Sequence, residues 1–173
     1  VAVNYSNDYS DGIRGTDDNR IGPVRLTASG LAPAESVKRA AILSFAAASI
    51  AGIALAALSS WWVILLGVAA IAAAWGYTGG KNPYGYKGLG EMSVFIFFGV
   101  VATMGSYYVQ TLEINWVAFA ASVPMGSLSC ALLAINNIRD RQQDEIVGKR
   151  TLAVRLGDRG SRVFFVLLLA SAY

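Results

Sequence analysis

Histidine is absent from this 173-residue chain, and cysteine occurs once, at Cys130. The first absence excludes imidazole general-base chemistry, serine–histidine–aspartate triads and histidine-ligated metals. The single cysteine excludes an intrachain disulfide framework and a cysteine-cluster zinc site. Charge is also scarce, since only 14% of the residues are charged and the net charge is +3. That balance is too weak to predict nucleic-acid binding. The chain is instead 55% hydrophobic, a composition that is hard to keep in solution.

Long uncharged runs fill most of the chain. Residues 40–80 contain no charged residue, and Glu113 is the only one within 92–138. One helix over the first run would be about 60 Å long, twice the thickness of a bilayer core, so each run is expected to turn near its middle. The runs predict membrane spans at 40–58, 61–77, 93–112 and 116–135, and a fifth apolar run that begins at Val163. The predicted fold is an all-α, polytopic transmembrane helical bundle, a single domain over 1–173.

The basic residues lie on one side of these spans. All fourteen lysines and arginines fall in the polar segments 4–39, 78–91 and 136–162, and neither turn between paired spans contains one. By the positive-inside rule these segments face the cytoplasm, which predicts a multi-pass protein of the inner (plasma) membrane. The chain begins at Val1 and ends inside an apparent helix, so it is expected to be the middle of a longer protein that lacks its first and last helices here.

The first polar segment carries closely spaced carboxylates. Asn4 and Asp8 are four residues apart, and Asp8 and Asp11 are three apart, so a continuing helix places them near one another. Like charges repel unless a cation lies between them, and ligands that offer only oxygen favour a hard ion such as Mg²⁺. A solvated loop is the simpler alternative for this segment taken alone.

A second cluster follows the fourth span. Asn136, Asp140 and Asp144 share a helical face at intervals of four, and Lys149 and Arg150 follow beyond Gly148. Two carboxylate clusters on one membrane side, each followed by basic residues, predict a site for a metal-bound polyphosphate. In the segment between them, Tyr77 and Lys81 are also four residues apart and are candidates for a phosphate contact.

Three stretches of the sequence resemble the UbiA superfamily of membrane prenyltransferases, and specifically its 1,4-dihydroxy-2-naphthoate branch. They are NDYSDGIRGTDDNRIGPVRL, YTGGKNPYGYKGLGEMSVFIFFG and NNIRDRQQDEIVGKRTLAVRLG. The resemblance covers nearly the whole chain, from Asn4 to about Arg162. It implies a bundle of about nine membrane helices when complete, which encloses a central cavity.

The resemblance implies a Mg²⁺-dependent transfer of a polyprenyl chain from its diphosphate to 1,4-dihydroxy-2-naphthoate with loss of CO₂, giving demethylmenaquinone in menaquinone biosynthesis. The implied metal ligands and catalytic residues are Asp8, Asp11, Asp140 and Asp144. The implied diphosphate or acceptor contacts are Asn4, Tyr77, Lys81, Asn136, Lys149 and Arg150, with Arg20 or Arg25 for the acceptor carboxylate. The family often has a third aspartate where this chain has Gly15, and Asp17 is the nearby candidate to replace it.

Two alternatives stay open. Another prenyltransferase of the same superfamily would use 4-hydroxybenzoate or homogentisate as its acceptor. A transporter with an acidic cytoplasmic mouth would belong to a different class, and it predicts ionisable residues inside the spans. The four complete spans as delimited above contain none.

Overall fold

The computed structural model describes residues 1–17 and 22–173. The described residues form helices and connecting turns, with no strand among them. The helices are α1 (Ala2–Gly12), α2 (Ala34–Leu58), α3 (Val63–Thr78), α4 (Gly90–Val94), α5 (Ala102–Thr111), α6 (Trp116–Ile146) and α7 (Leu152–Ala170), with a 3₁₀ turn at Tyr84–Lys87 and a π-helical segment at Phe95–Val101. The all-helical prediction is confirmed.

Three of the helices are long and apolar enough to cross a membrane. They are Ala34–Leu58, the continuous helix Gly90–Thr111 formed by α4, the π-helical segment and α5, and Trp116–Ile146. α3 is a shorter apolar helix. Each coincides with a predicted span, and their large apolar side chains are widely exposed along the helices, as a lipid-facing surface requires. The chain is therefore an integral membrane protein.

The turns at the two ends of the spans differ in character. At one end, Trp62 donates from its indole nitrogen to the Tyr108 hydroxyl at 3.0 Å, and the two rings lie 4.9 Å apart. The same end holds the start of α6, where the Asn115 side chain accepts the Ala118 backbone N–H at 2.8 Å and caps the helix. Aromatic side chains of this amphipathic kind are typical of a membrane interface.

α6 is the helix on which the second half of the chain packs. It contacts α7, the π-helical segment, α5 and α4. Its Gly126 faces Gly99 of the π-helical segment so closely that a Cβ on Gly99 would clash with the Gly126 backbone. Small residues of this kind let membrane helices pack closely.

The polar segments meet at the other end of the bundle. The Arg14 guanidinium donates to the backbone carbonyls of Thr78 and Gly80, which ties the segment after α1 to the end of α3. The Arg150 backbone N–H donates to the Tyr86 carbonyl at 2.9 Å, which ties the segment after α6 to the 3₁₀ turn. The three polar segments of the sequence thus form one surface.

Candidate active site

The first wall of the site is one face of α1. Asn4, Asn7 and Asp11 are spaced three and four residues apart, so they project from the same side of the helix. Asn7 accepts a hydrogen bond from the Thr78 hydroxyl at 2.7 Å, which holds its amide toward α3. Asp11 lies in the last turn of the helix and is 5% exposed. Asp8 lies about a quarter turn away and faces a different part of the molecule.

The second wall is the end of α6, which continues well past the apolar span. Asn136, Asp140, Gln143 and Asp144 recur at helical spacing on this part of α6. Asp140 accepts two hydrogen bonds from the neighbouring Arg139 guanidinium, at 2.6 and 2.8 Å. Asp144 is buried. The helix therefore brings a second set of oxygen-bearing side chains to the level of Asp11.

The way α6 ends determines the position of Lys149. Gly148 adopts a left-handed conformation, with φ of 79°, which glycine accommodates without strain. The Gly148 N–H then reaches the Glu145 carbonyl at 3.3 Å and the Lys149 N–H reaches the Asp144 carbonyl at 2.7 Å, the two bonds of a Schellman motif. This reversal turns Lys149 back toward the site, where it is 8% exposed.

Asp11, Lys149 and Tyr86 form the polar centre of the site. The Lys149 ammonium lies 2.9 Å from Asp11 Oδ2, and the Tyr86 hydroxyl donates to Asp11 Oδ1 at 2.6 Å. The ammonium also lies 4.9 Å from the centre of the Tyr86 ring. Three separate segments of the chain therefore meet at one carboxylate.

The surroundings of Tyr86 and Lys149 keep these two side chains in their ordinary charge states. Burial raises the pKa of Tyr86. The adjacent Asp11 carboxylate, which accepts a hydrogen bond from the Tyr86 hydroxyl, raises this pKa further. Burial alone would lower the pKa of Lys149, but the Asp11 carboxylate and the Tyr86 oxygen outweigh it, and the pKa is raised overall. Tyr86 is thus neutral and Lys149 positively charged at neutral pH.

These walls enclose a polar cavity of roughly 240 Å³. Its boundary includes four carboxylates and two cationic side chains, together with amides, hydroxyls and Tyr77. The lining residues are Asn4, Asn7, Asp11, Thr16, Asp17, Arg25, Tyr77, Thr78, Gly85, Tyr86, Leu133, Asn136, Asn137, Asp140, Gln143, Asp144, Lys149 and Thr151.

The structure brings most of the sequence-predicted site residues together in this cavity. Those that line it are Asn4, Asp11, Tyr77, Asn136, Asp140, Asp144 and Lys149. Arg25 and Asp17, both raised as candidates from the sequence, line it too, and they form an ion pair at 3.6 Å. Arg20 lies outside the described residues.

Three predicted residues are not brought into the cavity. Asp8 is buried, but its carboxylate accepts the backbone N–H groups of Leu26 and Thr27. Lys81 is exposed. It follows Gly80, where the backbone turns in a left-handed conformation next to the carbonyls that accept hydrogen bonds from Arg14. Arg150 is exposed as well, whereas the preceding Lys149 is turned inward to Asp11 by the reversal at the end of α6.

Several residues of the site were missed by the sequence reasoning. Asn7 could have been found, because it lies four residues before Asp11 and therefore on the same helical face. Asn137 and Gln143 sit among the predicted ligands of α6. Tyr86 has no such signal, because its approach to Asp11 depends on how the 3₁₀ turn folds over the helix ends.

A buried carboxylate, Glu91, binds one of the cavity-lining residues from outside the cavity. Glu91 lies in the first turn of α4 and is 5% exposed, with one oxygen accepting the Asn137 side-chain amide at 2.8 Å. Its backbone carbonyl accepts the Cys130 thiol at 3.0 Å. The sequence reasoning started this span at residue 93, so it placed Glu91 in the loop rather than in the membrane helix.

The donor set of the cavity fits a hard divalent cation. Its acidic side chains are Asp11, Asp17, Asp140 and Asp144, supported by amide oxygens, and oxygen ligands of this kind suit Mg²⁺. Within the described ranges, no three acidic side chains lie close enough to hold an ion by themselves. That spacing is typical of Mg²⁺ sites in which water and substrate phosphate supply the remaining ligands.

An apolar cavity of about 600 Å³ continues from the polar one. Both cavities are lined by Asn4, Asn7, Tyr77 and Leu133, which therefore mark the boundary between them. A second apolar cavity of about 470 Å³ shares Val101 and Ala102 with the first and extends to Val109, next to the aromatic pair at the far end of the bundle. Apolar cavities thus lie one after another between the polar centre and the far end of the bundle, with lining residues shared between neighbours.

Comparison with known proteins gives a consistent result. The model of the UbiA prenyltransferase family matches residues 1–173. The chain is 54% identical to a 1,4-dihydroxy-2-naphthoate octaprenyltransferase of Mycobacterium tuberculosis, over 99% of this chain and 59% of that protein. Proteins of the same name from Escherichia coli and Bacillus subtilis are 39% and 34% identical, with 57% and 56% of their lengths covered. The chain thus spans less than two thirds of these relatives. No solved structure matches it significantly.

Proposed function

The chain belongs to the UbiA prenyltransferase family, and from that premise we propose that it transfers a polyprenyl chain from its diphosphate to 1,4-dihydroxy-2-naphthoate. The observation that carries the proposal is the junction of a polar cavity, rich in carboxylates and cations, with a long apolar cavity. A polyprenyl diphosphate has the same division into a charged head and an apolar tail. The relatives named as naphthoate octaprenyltransferases support the choice of acceptor and of a long chain.

The diphosphate is assigned to the polar cavity. Mg²⁺ would be held there by Asp11, Asp17, Asp140 and Asp144, with Asn7 and Asn136 assisting, and when bound it neutralises charge on the departing diphosphate. Lys149 and Arg25 are the cationic side chains that line the same space, so they pair with phosphate oxygens that the metal leaves. Fixed charges aimed at a developing anion lower the barrier to its departure.

The bond that breaks is assigned to the boundary between the cavities. The allylic carbon loses its diphosphate there, beside Tyr77 and Asn7, and the resulting cation is surrounded by apolar side chains that exclude water. The Tyr77 ring offers its π face to that cation, and the ring is held by a T-shaped contact with Tyr84, with ring centres 5.6 Å apart. The ring carbon of the acceptor then forms the new C–C bond, and its carboxylate leaves as CO₂.

The site is assigned to the cytoplasmic face of the inner (plasma) membrane. The three polar segments of the sequence, which carry its lysines and arginines, each contribute residues to the polar cavity. The positive-inside rule predicts that these segments are cytoplasmic. Soluble aromatic acceptors and Mg²⁺ reach the site from that side, while the tail reaches it through the bilayer.

The test is an acceptor-resolved assay of the membrane-embedded protein. Membranes are incubated with a polyprenyl diphosphate, Mg²⁺ and one of three acceptors, namely 1,4-dihydroxy-2-naphthoate, 4-hydroxybenzoate or homogentisate, and products are identified by mass. We expect a prenylated, decarboxylated naphthoate product that disappears with EDTA and returns with excess Mg²⁺. Asp144→Asn membranes are the matched control. Product from 4-hydroxybenzoate alone, or undiminished product after exhaustive chelation, would contradict the proposal.

A further inference from the structure

Beside the cavity-lining face of α1, about a quarter turn around the helix, lies a buried carboxylate that does not line the polar cavity. Asp8 Oδ2 accepts the Leu26 N–H at 2.9 Å and Oδ1 accepts the Thr27 N–H at 2.8 Å. The side chain is 6% exposed and does not line the polar cavity. Two backbone donors on two oxygens satisfy a buried carboxylate, and such charge-assisted bonds are stronger than neutral ones. The Asp8 carboxylate therefore binds the backbone of the segment at Leu26 and Thr27.

A second residue on the same side of α1 as Asp8 confirms that the segment is packed closely there. Gly12 lies one turn after Asp8, and a Cβ at this position would come within 2.5 Å of the Thr27 side chain. The segment around Thr27 thus packs directly on α1. Asp8 binds its backbone at one turn of the helix, and the absence of a side chain on Gly12 leaves room for Thr27 at the next turn.

The segment that Asp8 binds follows directly on a residue of the site. Arg25 precedes Leu26, lines the polar cavity and pairs with Asp17 at 3.6 Å. Its carbonyl accepts the Ser29 N–H at 3.1 Å, and the Leu26 carbonyl accepts the Ala32 N–H at 3.1 Å. The backbone that follows Arg25 is therefore fixed twice, by Asp8 at the Leu26 and Thr27 N–H groups and by the turn that closes on the Arg25 and Leu26 carbonyls.

We propose that Asp8 is a positioning residue, which holds the Leu26–Thr27 backbone against α1 so that Arg25 is presented to the polar cavity, and that it is not a metal ligand. Sequence reasoning grouped it with Asp11, but the α1 residues that line the cavity are Asn4, Asn7 and Asp11. The Asp8 carboxylate, about a quarter turn away, is directed to the Leu26 and Thr27 N–H groups instead. The task of Arg25 in the reaction rests on the proposed function, whereas its placement by Asp8 does not.

The first test measures the segment itself. Amide hydrogen exchange of a peptide covering residues 22–33 is compared among wild type, Asp8→Asn and Asp8→Ala in membranes or detergent. An asparagine keeps one acceptor oxygen and an alanine keeps none, so exchange is expected to increase in that order. Equal exchange in all three proteins would overturn the proposal. If the alanine variant fails to fold, the near-isosteric asparagine variant still gives the comparison with wild type.

The second test separates positioning from metal binding. Binding of Mn²⁺ alone, followed by its electron paramagnetic resonance signal, is expected to be unchanged in Asp8→Asn and weakened in Asp11→Asn. Loss of Mn²⁺ binding in Asp8→Asn equal to that in Asp11→Asn would make Asp8 a ligand and overturn the proposal. Neither this readout nor the exchange measurement needs a substrate, so both stand even if the reaction proves to be a different one.

The third test asks whether Asp8 acts through Arg25. Asp8→Asn is expected to lower turnover about tenfold, the effect of one lost charge-assisted hydrogen bond, with the Mg²⁺ concentration for half-maximal activity unchanged. In an Arg25→Gln background the same substitution is expected to cost less than twofold, because the residue that it positions is already gone. Fully multiplicative losses would assign Asp8 a separate role and overturn the proposal.

Discussion

Asp11 is the residue at which the separate parts of the candidate site converge. It receives Lys149 from the end of α6 and Tyr86 from the 3₁₀ turn, and it shares a helical face with Asn7. Asp140 stands across the cavity on α6. If both carboxylates serve one metal–diphosphate unit, their contributions to the rate are coupled rather than independent.

The first prediction concerns that coupling. Asp11→Asn and Asp140→Asn each preserve shape but remove a negative charge from the ligand set, and each is expected to lower turnover about 10²–10³-fold. The double variant is expected to be little worse than the worse single variant. Turnover is measured at saturating Mg²⁺ and matched expression. Asp158→Asn, at an exposed carboxylate that pairs with Arg162 outside the cavity, is the control and should retain wild-type turnover. Equal losses there would refute a specific role.

The second prediction separates two neighbouring cations that the sequence could not rank. Lys149 is buried against Asp11, whereas Arg150 points to solvent. Lys149→Met is expected to raise the KM for the prenyl diphosphate and to lower turnover by at least tenfold, because a cation aimed at the leaving group is lost. Arg150→Met is expected to change either value less than twofold. Steady-state kinetics on the pair decides it, and the reverse order of effects would exclude Lys149 from the diphosphate site.

At this scale the sequence predicted residue types better than it predicted their direction. The carboxylates of α6 were identified because a single helix face carries them, and that face exists whatever packs against it. Asp8, Lys81 and Arg150 were misplaced because their directions depend on tertiary partners: two backbone N–H groups, a glycine turn and a neighbouring lysine. Tyr86 was missed for the same reason.

At the scale of the helices, hydrophobicity located the membrane spans but not the helix ends. α6 continues for eleven residues beyond the predicted span that ends at residue 135, to Ile146, and this extension carries the second set of ligands. α7 begins at Leu152, well before the apolar run at Val163, because its first half is amphipathic. The helix is kinked at Gly157, and the Ser161 hydroxyl bridges this kink by donating to the Ala153 and Gly157 carbonyls. Hydropathy identifies the part of a helix that lies in lipid, and it does not detect where the helix continues into water.

The third prediction tests the close contact between α6 and the π-helical segment. A Cβ on Gly99 would clash with the backbone of Gly126, whereas one on Gly105, two turns further along the same membrane helix, would meet nothing within 4 Å. Gly99→Ala is therefore expected to destabilise the protein by about 1–3 kcal/mol through overpacking, and Gly105→Ala to leave stability unchanged or slightly raised. Thermal unfolding of the detergent-purified proteins measures both. Equal melting temperatures would show that the helices can separate at no cost.

At the scale of the whole molecule, charge and hydrophobicity divide the bundle into two ends. The polar cavity and the Arg14 and Arg150 cross-links lie at one end, and the Trp62–Tyr108 contact lies at the other. The sequence segments that form the first end are also those that carry lysine and arginine. The apolar cavities lie between the two ends. This division was predictable from the sequence, because it follows from which loops carry lysine and arginine. The cavities were not, since their shapes depend on how side chains from several helices meet.

The last prediction tests which membrane side the charged end faces. Single cysteines are introduced at exposed positions in a Cys130→Ser background, which removes the only native thiol. Because the positive-inside rule places basic loops in the cytoplasm, Lys87→Cys and Glu145→Cys should react with a membrane-impermeant maleimide only in inside-out vesicles. Glu113→Cys, in the turn between α5 and α6, should react only in intact cells. Both basic-side positions are exposed, as is Glu113, so accessibility is not limited by burial. Labelling of the Lys87 and Glu113 positions from the same side would refute the topology, and with it a cytoplasmic active site.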